Sequence, residues 1–500
     1  MYSRFFGVDG KYYIALRYLI LFSLLYILPV LLANFHYIDD LGRSLTGYTG
    51  WEGNGRPLVS LFAVVLSNGK PLLDLSPWIQ ILSVIVLSYA LILFLRKYTP
   101  NASSFKLFCI AAFSYLNLFM LENLSYKYDS FGMILSLSVF LVLYSFPNDL
   151  NLKKQFVLSI LAVVVSLSLY QAAIGAYISL GIVESLYLIL EGACLRDILK
   201  KISLRVCAIL CGGFIYKATV VQIFVPKTGY SAEHGAFVKL FSLRGIQEIY
   251  RNSLAFIQMF KAYGTSMKFL GLLLLLALFI GIIYLITYAW KNRLETTFLK
   301  LLLSLFIAAA PFLLVAASVF SLILLKSPVV APRVMISFSV FTLFVGMVIY
   351  RLSEWKKPFV FLSIFTLIFV LSFSSAYGNL LTRQEKMNSL VASYLVSDMN
   401  EIEDEKGFNI TNVSFIGKSP KCRELLLAAR KRPLFNFLIP IYMNNGWYWG
   451  GQYLSHYRKN TVYLKNEKDD RLFTKTIKPA RQNEFYSLYL RGKKMIVMFQ

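Results

Sequence analysis

Long apolar runs separated by short polar breaks fill the first three-quarters of this 500-residue chain. Eleven runs can be drawn, at roughly 14–34, 76–95, 105–121, 130–147, 156–169, 172–190, 203–224, 267–290, 298–325, 334–351 and 358–377. A helix needs about 20 apolar residues to cross a bilayer. In lipid, only a helix satisfies its backbone groups within one segment, so the runs predict a polytopic α-helical membrane protein of about 11 transmembrane helices. A β-barrel is excluded, because its strands alternate over short segments and these runs are continuous. The fifth and sixth runs predict either one long bent helix or two short ones hinged at Tyr170-Gln171.

Past residue 378 the pattern changes: charges and turn signals return. Leu380 to Glu405 predicts a helix with an acidic end. Val413 to Gly417, Thr461 to Leu464 and Tyr486 to Phe499 predict strands, the last broken by Arg491-Gly492-Lys493. The expected organisation is a transmembrane unit over 1–378 and a small C-terminal α/β domain over 379–500, long enough to fold. Within the first unit, 225–266 holds a polar stretch (Lys227 to Gly235) and then apolar residues at helical spacing from Phe237 to Tyr263. That pattern predicts amphipathic helices lying at the membrane interface, and the same reading extends to 57–72 after Pro57. No internal repeat is visible, so repeat-built transporter folds gain no support.

Composition agrees: 57% of residues are hydrophobic and 15% charged, against roughly 25% charged in soluble domains. A net charge of +25 raises the question of nucleic acid, but many of the basic residues cap apolar runs on one side. That is the positive-inside pattern, and no nucleic-acid partner is expected. With Arg4, Lys11 and Arg17 inside, the inside breaks are Arg96-Lys97, Lys153-Lys154, Arg196 to Lys201, Lys291 to Arg293 and Arg351 to Lys357, all basic. Loops 35–75, 122–129, 225–266 and 326–333 then share the outer face, and an odd span count puts the tail there too. In a bacterium this means the inner membrane, with a cytoplasmic N-terminus and a periplasmic C-terminal domain. The first run lacks a small-residue cleavage pattern and reads as a retained anchor. Five cysteines are scattered without a CxxC pair, so neither a disulfide framework nor a zinc site is expected. His36, His234 and His456 show no ligand spacing, so no metal and no cofactor are predicted.

The outer face concentrates the candidate chemistry. Asp39-Asp40 stands where the first run should emerge into water, with five glycines following within sixteen residues and Arg43 close behind. Sugar transfer to a hydroxyl needs a base for the acceptor proton, and a carboxylate suits that role. Adjacent helical residues point about 100° apart, so one of the pair faces the reaction while the other orients it, caps the next turn or binds Arg43. Glu122 to Asp129 packs two carboxylates, Lys127, two tyrosines and an amide into eight residues. Carboxylates and amides suit sugar hydroxyls; the plainer reading is an interface aromatic belt with a snorkelling lysine. Arg333, at the outer end of the tenth run, breaks the positive-inside trend and calls for an anionic partner: a phosphate, a headgroup or one of these acids. Tyr170-Gln171 fits a sugar site or a satisfied hairpin. The tail's Gly446-Trp447-Tyr448-Trp449-Gly450-Gly451-Gln452-Tyr453 suits a glycan or membrane docking.

Phe35 to Trp51 resembles the first outer loop of the type II glucosyltransferase family, the O-antigen-modifying enzymes of serotype-converting bacteriophages and their bacterial relatives. Leu121 to Ser130 resembles the family's second outer loop, and Ser166 to Ala176 and Ser327 to Met335 are similar as well. The resemblance covers residues 1–380, not the tail. It implies a GT-C-like membrane glycosyltransferase that takes glucose from undecaprenyl-phosphate glucose on the outer face and gives it to a hydroxyl of the lipopolysaccharide O-antigen. It also implies dependence on a lipid-glucose synthase and a flippase. Asp40 or Asp39 would act as base in a single inverting displacement. Arg333, with Arg43 or Lys127, would meet the leaving lipid phosphate. Glu122, Asp129, Lys127, Tyr170 and Gln171 would hold substrate. Two rivals remain at this point: an O-antigen polymerase, and a transporter or flippase, which needs polar residues inside the spans.

Overall fold

The computed structural model describes residues 10–292, 296–352, 356–446, 448–458, 462–464 and 467–500. Arg4, Arg293, Trp447, Thr461 and positions 353–355 lie outside the described residues. In chain order the main helices of the first part are α1 (Lys11–Ala33), α2 (Asp40–Thr46), α3 (Pro57–Leu66), α4 (Trp78–Tyr98), α5 (Ser104–Ala112), α6 (Met120–Ser125), α7 (Ser130–Ser145) and α8 (Leu152–Leu169). They continue with α9 (Ile174–Leu190), α10 (Leu195–Tyr216), α11 (Leu243–Ser266), α12 (Lys268–Asn292), α13 (Thr297–Ile323), α14 (Phe338–Arg351) and α15 (Lys356–Lys406).

Eight helices among the described residues are long and apolar enough to cross a membrane: α1, α4, α8, α9, α10, α12, α13 and α15. The predicted runs at 105–121, 130–147 and 334–351 fold instead as the shorter apolar helices α5, α7 and α14. The first of these is broken at Asn117. Its Nδ2 donates to the Met335 carbonyl at 3.1 Å and to Ser339 Oγ at 2.9 Å, across more than 200 residues of chain. A side-chain amide buried in an apolar run costs free energy unless it is paired, and here pairing shapes the turn that precedes α6. The fifth and sixth runs are two helices, parted by Tyr170 in an extended conformation (φ −158, ψ 106).

The helices pack as neighbours in an apolar bundle, with α4 against α7, α8 against α10, and α1 against α15. The amphipathic reading of 237–263 corresponds to α11. It buries Phe256, Met259 and Tyr263 and exposes Leu243, Ile246 and Tyr250. Helix α15 runs without a break through position 378 and carries the chain out of the bundle into the tail.

The tail adds β1 (Asn412–Ile416), α16 (Arg423–Lys431), α17 (Trp449–Leu454), β2 (Val462–Tyr463), α18 (Glu467–Thr474), β3 (Arg481–Gln482), β4 (Tyr486–Arg491) and β5 (Lys494–Phe499). The sheet order is β2-β1-β5-β4-β3, with β1 parallel to both neighbours and the rest antiparallel. The predicted break falls at Gly492, whose φ of 61 suits the tight β4–β5 turn. The tail's core is continuous with that of the bundle, so Leu438 and Tyr442 belong to the same buried cluster as Tyr37 and Tyr377.

Candidate active site

The acidic pair occupies a strained corner. After α1 the chain turns through Asn34 and Ile38, both left-handed, with φ 46 and 51. A β-branched residue at positive φ is uncommon and costs backbone energy. Ile38 immediately precedes Asp39, so the strain sits where the two carboxylates are aimed.

The carboxylates then part company. Asp40 is fully buried. Its Oδ2 accepts the backbone N–H of Tyr37 at 3.1 Å and of Lys127 at 2.8 Å, and its Oδ1 accepts that of Tyr128 at 3.4 Å. It therefore stitches the first loop to the second. Burial, then the nearby Asp129, pushes its pKa well up; the Lys127 amide, Arg43 and the Tyr37 amide pull it back. Asp39 is partly exposed. Its Oδ1 accepts Nε1–H of Trp449 at 3.2 Å, a contact from the tail.

Two buried ion pairs flank this corner. Arg43 Nη1 donates to Asp129 Oδ2 at 2.9 Å, with both side chains almost fully buried. Its guanidinium lies 4.0 Å from the Trp51 ring centroid, and Trp51 Nε1 donates to the other oxygen of Asp129 at 2.5 Å. Arg333 Nη1 donates to Glu122 Oε1 at 2.7 Å, and the Arg333 backbone N–H to Oε2 at 2.8 Å. Of the partners open for Arg333 on sequence grounds, the structure supplies an acid of the second loop. Burial raises Glu122 and Arg333 opposes it. Burial works to lower Arg333, but its neighbours Tyr126, Glu122, Tyr170 and Asp39 outweigh burial and hold the guanidinium well above its ordinary value. Arg333 remains partly exposed, and only Nη1 of its guanidinium is engaged among the described residues.

Aromatic hydroxyls close the cluster. Tyr126 lies under Arg333, whose guanidinium carbon is 5.8 Å from the ring centroid. Tyr170 lies under Arg56 at 4.6 Å. Both rings are buried, and both hydroxyls lack a hydrogen-bond partner among the described residues. Gln171 accepts from Arg56 Nε at 2.8 Å and donates to the Asn54 carbonyl at 2.7 Å. It fixes the end of the Gly-rich loop beside Tyr170. Gly55 is required there: its φ is 74, and a Cβ would come within 2.4 Å of Tyr216 Oη. Lys127 Nζ points away from Asp40, to Asn34 Oδ1 at 2.7 Å and Asp74 Oδ2 at 2.8 Å.

The structure thus gathers Asp39, Asp40, Arg43, Glu122, Asp129, Tyr170, Gln171 and Arg333 at one end of the bundle. Arg43 and Lys127 are the least available for a ligand, because each is buried and committed to a carboxylate. Sequence reasoning did not single out Arg56, Trp51 or Asp74. Arg56 and Trp51 stand in the Gly-rich loop, where an arginine and a tryptophan among glycines are a usable signal; Asp74 carried none. Nor did it link Trp449 to Asp39. Among the described residues, no group of three or more His, Cys, Asp or Glu side chains is placed to hold a metal ion.

Comparison with known proteins agrees with the loop motifs. The family model described as Glucosyl transferase GtrII matches residues 28–350. A Salmonella phage P22 protein, described as an uncharacterized 55.3 kDa protein in the gtrB 5' region, is 27% identical over 488 residues, covering 95% of this chain and 96% of the relative. No solved structure matches. The chain belongs to the GtrII glucosyltransferase family, and it is a glycosyltransferase with several helices of membrane-spanning character.

Proposed function

We propose that this glucosyltransferase moves glucose from a polyprenyl-phosphate carrier, undecaprenyl-phosphate glucose, to a sugar hydroxyl of lipopolysaccharide O-antigen at the periplasmic face of the inner membrane. The observation that carries the reading is a partly exposed carboxylate, Asp39, at the same corner as Arg333, of whose guanidinium Glu122 engages one nitrogen only. A base and a fixed positive charge close together are what a single displacement on a sugar phosphate requires.

Asp39 takes the proton of the acceptor hydroxyl. The acceptor oxygen attacks the anomeric carbon from the face opposite the phosphate, and the bond between that carbon and the phosphate oxygen breaks with inversion. The electron pair leaves with the lipid phosphate, which Arg333 meets with its remaining donors. Glu122 orients Arg333, and Asp40 and Asp129 hold the two loops in register. Tyr126 and Tyr170 offer hydroxyls to the sugar or the phosphate. Asp39 is favoured over Asp40 as base because Asp40 already accepts three backbone N–H groups and is closed to solvent.

The fine architecture belongs to the same proposal: eleven spans in a GT-C-like unit over 1–378, and a periplasmic α/β domain over 379–500. Arg43 and Lys127 act through the acids they bind. A lipid-glucose synthase and a flippase supply the donor. Mass analysis of surface polysaccharide from cells with and without the protein tests this: a hexose increment that needs the synthase is expected. No increment on any polysaccharide fraction defeats the proposal.

A further inference from the structure

Three arginines stand in the outer-loop cluster, and they are held differently. Arg43 is paired with Asp129 and Arg333 with Glu122. Arg56, at the end of the Gly-rich loop, is partly exposed and has no carboxylate partner among the described residues. Its backbone N–H donates to the Trp51 carbonyl at 2.9 Å. Its Nε donates to Gln171 Oε1 at 2.8 Å, and its guanidinium lies 4.6 Å from the Tyr170 ring centroid. Gln171 is itself fixed: Nε2 donates to the Asn54 carbonyl at 2.7 Å and to Tyr216 Oη at 2.9 Å. Tyr216 in turn donates to the Gly55 carbonyl at 2.9 Å. Neutral groups therefore orient the Arg56 guanidinium. Its two terminal nitrogens have no protein partner among the described residues, and its charge is uncompensated.

Two connections tie Arg56 to the Arg333 loop. The turn Gln171–Ala173 packs against the turn Pro332–Met335, and Ser337 Oγ donates to the Ala172 carbonyl at 2.9 Å. The short helix Tyr230–Gly235 bridges the same two loops: Ser231 Oγ donates to Asn54 Oδ1 at 2.6 Å, and His234 Nδ1 donates to the Ser327 carbonyl. Electrostatics agree with that geometry. Burial raises the pKa of Tyr170, and the cations that oppose the rise are Arg56 and then Arg333. Burial likewise raises Tyr230; there Arg333 and Arg56 oppose it, while Asp39 adds to it. Both arginines thus act on the same two rings, and the buried Tyr170 hydroxyl has no partner among the described residues.

We propose that Arg56 is a second phosphate-binding residue, which joins Arg333 in holding the phosphate of the polyprenyl-phosphate sugar and supplies the net positive charge that the leaving phosphate requires. The proposal rests on the glucosyltransfer reading above and adds a donor-binding residue to it. The donor is a phosphodiester with one negative charge. When the bond between the anomeric carbon and the phosphate oxygen breaks, its electron pair stays on that oxygen and the acceptor proton goes to Asp39. The phosphate becomes a monoester with a second charge. Arg333 and Glu122 together carry no net charge, so that pair offers donors but little field. Arg56 brings an unpaired charge, and its Nη1 and Nη2 form the fork that suits two phosphate oxygens. Its effect grows as charge develops on the leaving group, so it favours the transition state over the bound donor.

The test uses the full-length protein in detergent, with polyprenyl-phosphate glucose as donor and a polyprenyl monophosphate as competing probe. The monophosphate should inhibit the wild type, and Arg56→Gln should weaken that inhibition about tenfold. Polyprenol, which lacks the phosphate, should compete equally weakly with both proteins. Arg56→Gln should also lower kcat by a larger factor than it raises the donor KM, and leave the acceptor KM within about twofold. Arg56→Lys keeps the charge without the fork and should weaken the inhibition roughly threefold; it carries the same comparison if Arg56→Gln does not accumulate. An unchanged inhibition constant for the monophosphate in these variants overturns the proposal alone. Competition by phosphatidylglycerol as strong as that by the monophosphate also overturns it, because the arginine then anchors to any lipid headgroup. Wild-type protein that transfers no glucose overturns the function first and this proposal with it.

Discussion

The bundle holds a buried ionic cluster at each end, and the two are built differently. Helix α8 runs between them, from Gln155 and Ser159 at one end to Tyr170 just past the other. At the far end, Arg205 donates through Nε and Nη2 to the two oxygens of Glu184, at 2.8 and 2.9 Å, and through Nη1 to Ser159 Oγ at 2.7 Å. Its guanidinium lies 4.2 Å from the Tyr144 ring centroid, and Lys97 stands 3.7 Å from Glu184. Every guanidinium nitrogen there is engaged. At the Asp39 end, Arg333 uses one nitrogen, and Arg43 Nε, Tyr126 Oη, Tyr170 Oη, Asn123 Oδ1 and Ser130 Oγ have no partner among the described residues. An unsatisfied buried polar group costs about 1–3 kcal/mol. At the far end Tyr98 Oη, whose ring lies 5.0 Å from Lys97 Nζ, also lacks a partner among the described residues, but the arginine there is complete; at the Asp39 end the arginine itself is not, which separates a structural lock from a site that receives polar ligands.

Substitutions can break that contrast. Asp39→Asn should have the largest effect, lowering transfer by about 10²–10⁴-fold while the protein accumulates normally; a fully active Asp39→Asn enzyme removes Asp39 as the base. Glu184→Ala should act in the opposite way. It strands Arg205 in the interior and should cost about 3–5 kcal/mol, read as lost accumulation and a lower unfolding temperature, with glucose transfer per folded molecule retained. A stable but inactive Glu184→Ala protein would reverse the contrast.

Asp40→Asn sharpens it within the acidic pair. The amide has only one accepting oxygen for the three backbone N–H groups that Asp40 now satisfies. The expected outcome is a stability loss of about 1–3 kcal/mol, seen in thermal unfolding, with a smaller fall in kcat than for Asp39→Asn. Tyr126→Phe and Tyr170→Phe remove hydroxyls without partners, so stability should hold or rise slightly. If those hydroxyls meet substrate, kcat/KM should fall by about fivefold for a bond of about 1 kcal/mol. An unchanged kcat/KM in both would assign the rings to packing.

The smallest effect concerns pH. His456 stacks on His36 at 5.9 Å where the tail meets the first loop. Burial, and then His36, holds its pKa below the ordinary 6.5. The neutral ring is therefore the docked form: its contribution is present above about 6.5 and is lost as pH falls through the lowered value. Protease protection of the tail should decline on acidification below that range, and His456→Gln should flatten the decline.

Much of this was legible in the chain. Apolar runs of spanning length leave a backbone in lipid no choice but helix, so the bundle followed from pattern alone. Polar residues crowded at run ends named Asp39, Asp40, Glu122, Asp129 and Arg333, because charges in such a chain are too costly to place without use. The loop motifs Phe35 to Trp51 and Leu121 to Ser130 gave the family. The run lengths were less faithful where a polar side chain found a distant partner, as Asn117 does in ending the helical stretch after α5.

Periodicity and composition are local, and they determined the long helices, the strands β1, β2, β4 and β5 of the tail and the list of candidate residues, but not β3 or the short helices of the tail. The pairings are not local. Glu122 and Arg333 are 211 residues apart, and Asp39 and Trp449 are 410 apart. Two adjacent aspartates are chemically identical in sequence. Packing alone turned Asp40 inward onto three amides and left Asp39 partly exposed, meeting Trp449 of the tail, because burial and hydrogen bonding depend on what the rest of the chain brings to the same corner.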